Sequence, residues 1–101
     1  MTFSDPVPQE ARTELERLDR RWQQLPLDRA LAHVPAVRAL AQRYVDLAWS
    51  AHGRGEAPQL PDLGPATVMD QLTVSVYDRV EADSEQAGLV TDLAGLRRLI
   101  G

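Results

Sequence analysis

LPDLGPATVMDQLTVSVYDRV, residues 60–80, is the stretch whose reading decides the fold. Two periods compete in it. Leu72–Tyr77 alternates apolar and polar and is rich in β-branched residues, the mark of a half-buried strand. Met69, Leu72, Val76 and Val80 step 3, 4 and 4, which is a helical stripe. The run 66–82 contains neither Gly nor Pro and is too long for an ordinary strand. Gly64-Pro65 suits a helix start, because the first turn has no partner for the N–H that proline lacks. Asp62 is a second N-cap candidate. A strand here would also find no partner elsewhere in the chain. Residues 65–82 are therefore read as a helix. Val68 and Val74 lie off its stripe, so it is apolar on more than one side and is expected to contact most of the other helices.

Upstream, Ala11, Leu15, Leu18, Trp22 and Leu25 step 4, 3, 4, 3, a heptad seam on a helix over about 7–25. Glu16 stands four residues from both Arg12 and Arg20 and is expected to pair with them along a solvated face. Pro26 ends this helix. Asp28 then caps a short helical turn near 28–34, and Pro35 is expected to kink or restart the chain. A second long helix follows over 35–52, with Val37, Leu40, Ala41, Tyr44, Leu47, Ala48 and Ala51 on its stripe. Gly53 reads as a left-handed stop. Residues 53–62 form a crossover loop, pinned by Leu60 and Leu63. A polar turn at 83–88 leads to a last helix over 89–100, with Leu89, Leu93, Leu96 and Ile100 on its stripe and Thr91 as its cap. The expected fold class is all-α: a single-domain bundle of four principal helices spanning 1–101.

Composition bounds the rest. The chain has 101 residues, 44% hydrophobic, 26% charged and only 5% aromatic, so its core must be aliphatic. There is no cysteine, which excludes disulfides and thiol chemistry. All 11 basic residues are arginine, which fits codon bias in a GC-rich bacterial genome. With 15 acidic residues the net charge is −4, unfavourable for broad contact with nucleic acid or anionic membrane. No apolar run reaches the roughly 20 residues of a membrane span. The N-terminus does not read as a signal peptide, so a cytoplasmic setting is expected.

No reactive constellation stands out. His33 and His52 are the only histidines, and Gly53 and Gly55 interrupt the helical spacing by which His52 and Glu56 would share a metal. The serines lack a nucleophile elbow, and the glycines form no phosphate cradle. No cofactor or metal is expected. Asp70 and Asp78 lie on the apolar-rich helix, so one of them is expected to be partly buried against Arg38 or Arg43. Trp49 falls beside its stripe, next to the long loop. With Arg54 and Leu60 it marks the expected contact region. The functional expectation is a small non-enzymatic helical protein acting through protein–protein contact, self-association as a homodimer included. The alternative is a ligand-binding or enzymatic helical protein with a pocket near Tyr44, Asp70 and Tyr77.

Overall fold

The computed structural model describes residues 5–82 and 88–101, so the polar turn expected at 83–88 lies outside the described residues except for Gly88. Among the described residues it is all-helical. The elements are α1 (Gln9–Gln24), α2 (Leu27–Ala51), α3 (Pro65–Ala82) and α4 (Leu89–Ile100). The stretch 72–77 is helix. Pro65 opens α3 after Gly64, whose carbonyl accepts from Thr67 and Val68, while the Asp62 carboxylate caps the turn from outside by accepting the Gly64 N–H.

The largest correction concerns Pro35. The short turn near 28–34 and the helix from 35 are one uninterrupted helix, α2, with Pro35 inside it. Pro26 takes the N-cap position and Asp28 falls within the first turn. An interior proline removes one backbone hydrogen bond and normally costs about 3 kcal/mol. Here Pro35 and Leu31, whose carbonyl loses its partner, are both exposed, so water can serve that oxygen. The opposite face keeps an unbroken buried row of Ala30, Val34, Val37, Ala41, Tyr44, Val45 and Ala48. Burial of that row in the core outweighs the local defect.

Contacts fix the helix directions. Ala48 and Trp49 near the end of α2, with His52 just beyond it, share a cleft with Asp78 and Glu81 near the end of α3, so these two closely packed helices run parallel. Glu14 of α1 meets Arg97 of α4, and Arg21 lies beside Gly101, so α1 and α4 also run parallel. Trp22 near the end of α1 donates to the carbonyl of Pro65 at the start of α3 (2.9 Å), which sets the two pairs antiparallel. The expectation that α3 contacts most other helices is modified, since its main partner is α2 and it touches α1 only lightly. A parallel pair explains the long loop. The chain leaving α2 must return along α3, about 27 Å for its 18 residues. The 12 residues of 53–64 can span about 40 Å.

The core is mainly aliphatic, with Leu18, Val37, Leu72, Val76, Leu93 and Ile100 fully enclosed in the same cluster as Tyr44. Leu60 packs against this core, whereas Leu63 is exposed and pins nothing. The start of α4 is set by Gly88, whose φ of +85° suits glycine, so Thr91 is not its cap. The Glu16 pairs with Arg12 and Arg20 do not form. Arg12 turns to Gln9 and Asp5, and Glu14 serves Arg17 and Arg97 instead. Glu14 sits at the α1–α4 seam with little exposure, so it needs a cation more than Glu16 does.

Pro35→Ala restores a helical N–H and should raise stability by about 1–3 kcal/mol in urea denaturation, the looser unfolded chain offsetting part of the gain. The Arg97 hydrogen bond, aided by the charges of Arg97 and Arg17, holds the Glu14 carboxyl below its ordinary value of 4.5. A carboxylate depressed in this way stabilises the fold above its ordinary value and loses that contribution as pH falls. Glu14→Gln should therefore lower Tm at pH 7 and leave a shallower decline of Tm below about pH 4.5, measured by circular dichroism.

Candidate functional site

One row of α3 departs from amphipathic order. Asp70, Val74 and Asp78 are spaced four apart on its exposed face, so a valine stands one turn from a carboxylate on either side. Val74 is 60% exposed. Across from it, α2 presents Val45 and Trp49, also four apart, and the crossover loop adds Pro58 and Leu60. Together they form an open, predominantly apolar groove of about 390 Å³, with Asp70 and Asp78 at its margin.

The walls are tied by hydrogen bonds. Gln42 of α2 accepts the Leu60 N–H through Oε1 (2.7 Å) and donates from Nε2 to the Pro58 carbonyl (3.0 Å). Gln71 of α3 donates to the Pro61 carbonyl (3.1 Å). At the end of α2, Gly53 in the left-handed region closes a Schellman turn. Its N–H meets the Ser50 carbonyl and the Arg54 N–H meets the Trp49 carbonyl, each at 3.1 Å. The turn swings Arg54 back over the Trp49 ring, 5.5 Å from its centre. This stacking holds a half-buried tryptophan edge in place.

The structure thus brings Trp49 and Leu60 into one groove, with Arg54 behind the tryptophan. The expectation of a buried Asp70 or Asp78 is corrected, because both are exposed. Arg38 is half-buried and makes no ion pair among the described residues. Arg43 pairs with Asp92 of α4. The charged side chain that α3 buries is Arg79. It lies over the Tyr44 ring (4.6 Å) and 3.6 Å from Asp92. The Tyr44 hydroxyl donates to the same carboxylate (2.9 Å). Burial, reinforced by that acceptor, pushes the Tyr44 phenol well above its ordinary value, so it stays a neutral donor. Periodicity in one helix could not reveal Asp92 as the common partner, since it lies 48 residues from Tyr44.

The Tyr44, Asp70 and Tyr77 pocket does not form. Tyr44 is fully enclosed at the Asp92 cluster, and Asp70 is at the groove margin. Tyr77 donates to Asp5 before α1 (2.9 Å). The Val7 backbone N–H first, then Tyr77 and Arg12, hold Asp5 below its ordinary value against the opposing effect of burial. Among the described residues no three His, Asp or Glu side chains are grouped to hold a metal ion, and no helix is long and apolar enough to cross a membrane. The sequence reading did not include Val45 in the contact region and did not single out Pro58 or Val74, which lie on the loop and the helix it named. The signal for Val74 was present in its position off the stripe, but the same reading placed Val68 beside it, and Val68 is fully buried.

Comparison with protein-family models, curated proteins and solved structures finds no match for the chain.

Gln42 carries two of the three side-chain hydrogen bonds that tie the loop to the helices, so Gln42→Ala should loosen the strap while leaving the helices intact. Limited proteolysis is expected to cut within residues 53–62 at least several-fold faster, with a stability loss of about 1–2 kcal/mol for the two hydrogen bonds.

Proposed function

We propose that this protein is a non-enzymatic interaction module, working in the cytoplasm, whose groove between α2, α3 and the crossover loop receives an apolar segment of a partner protein. The observation that carries the reading is the exposed Val74 between Asp70 and Asp78, facing Trp49 and Leu60 across an open apolar cleft. Apolar surface arranged with polar margins is the usual form of a protein contact. The carboxylates favour a segment with a Leu, Phe or Trp anchor flanked by Lys or Arg. They disfavour a symmetric dimer through the same patch, because a two-fold contact would set acidic margins against each other. A cleft of about 390 Å³ accepts one or two side chains, which suits a small, transient interface.

Selection of a random peptide library on the purified chain tests the reading. Recovered peptides should carry an apolar anchor beside basic residues. Val74→Arg and Trp49→Ala should each weaken them at least about tenfold, and the double variant D70N/D78N should weaken them and reduce their salt dependence. Peptides that bind the Val74→Arg protein as well as the native one would overturn it. Sedimentation provides the second check. A dimer that Val74→Arg dissociates would make a second copy the occupant in place of another protein.

A further inference from the structure

Arginines far apart in the chain meet at one end of the bundle. Arg17, Arg20 and Arg21 from the second half of α1, with Arg97 and Arg98 from the last turn of α4, line a groove of about 490 Å³ that also includes Gly101. Arg29, in the first turn of α2, reaches the same end. Its Nη2 lies 3.7 Å from the place a Cβ on Gly101 would occupy, and the Nη2 of Arg21 lies 3.9 Å from it.

Compensation of helix dipoles does not account for this density of charge. The C-termini of α1 and α4 together present about one negative charge, and the positive N-terminus of α2 at the same end reduces that further. Glu14 supplies one more, already bonded to Arg97 (2.9 Å) and Arg17 (3.2 Å). Six guanidiniums face these two negative charges, leaving about four in excess. Arg20, Arg21, Arg29 and Arg98 make no ion pair among the described residues. The Nε of Arg21 is buried without an acceptor. This concentration stands in a chain whose net charge is −4.

The geometry selects a ligand class. Planar guanidiniums grip phosphate and carboxylate oxygens two at a time, and several around one concavity suit an anion with several such groups close together. The groove is of small-ligand size, within the range of about 300–1,000 Å³. Among the described residues no aromatic ring lines it, so these offer no platform for a nucleobase. The acidic remainder of the surface works against a long polyanion extending beyond it. We propose that this groove binds a compact anion carrying several phosphoryl groups, either free or as the headgroup of a phosphorylated lipid. The site uses α1 and α4 and is independent of the apolar groove on α2 and α3.

Calorimetric titration of the full chain with inorganic tripolyphosphate at low salt tests it. One saturable site is expected, weakened about tenfold by either Arg21→Gln or Arg98→Gln and unchanged by Arg54→Gln, which lies outside the groove. Far-UV circular dichroism should show native helix content in each variant; Arg98 is exposed, so its replacement leaves the core untouched. Vesicles of phosphatidylcholine, with and without a polyphosphoinositide, distinguish the sources. Retention on the phosphoinositide vesicles, displaced by tripolyphosphate, assigns a headgroup; tripolyphosphate binding without retention assigns a free anion. The proposal is overturned by an unsaturable titration, by equal binding to the native chain and the R21Q/R98Q double variant, or by tighter binding of duplex DNA that strengthens with duplex length.

Discussion

A guanidinium enclosed between helices must meet negative charge, because an uncompensated buried ion costs several kcal/mol. In this bundle the enclosed guanidinium is Arg79, and the carboxylate beside it is Asp92. Meeting that requirement does more than neutralise one residue. Asp92 also accepts from Tyr44 and Arg43 of α2, so one carboxylate in the first turn of α4 joins three helices. The position suits it electrostatically, since the N-terminal end of α4 favours an anion. Tyr44, the largest fully buried side chain, is held by the same contact and supplies its ring as a face for both cations. The placement of α4 on the α2–α3 pair rests on this cluster at one end and on apolar burial along the rest.

The parallel course of α2 and α3 has consequences for the surface. Parallel neighbours cannot be joined by a tight turn, so the chain must travel back along the pair. That return segment would be a loose strand of polypeptide without Gln42 and Gln71, whose side chains replace water as partners for its backbone. Once tied down, the loop becomes a wall. The apolar groove exists because a topological necessity has been fastened at its middle, leaving Trp49, Leu60 and Val74 on facing sides.

The two concavities differ in charge as well as in position. The apolar groove is bordered by Asp70 and Asp78, while the groove at the ends of α1 and α4 is built of arginines. A modest net charge of −4 conceals this separation. The parallel arrangement of α1 and α4 produces it, by bringing the basic last turns of two distant helices to one end of the molecule.

The sequence alone determined the helical class and three of the four helix spans within a few residues. The 3.6-residue period of Leu15, Leu18 and Trp22, or of Leu89, Leu93 and Leu96, is a local property that any packing partner must satisfy. Gly53 and Pro65 marked their boundaries because left-handed backbone and a missing N–H are also local requirements. Pro35 misled the reading for the same reason. Its local cost is real, but whether a helix bears it depends on what the opposite face buries and on whether the freed carbonyl meets solvent. Only the tertiary structure decided which way each helix runs, that Arg79 rather than Asp70 or Asp78 is the buried charge, and that Asp92 is its neighbour. Pairing across dozens of residues is a matter of relative helix placement, and periodicity within a helix carries no information about it.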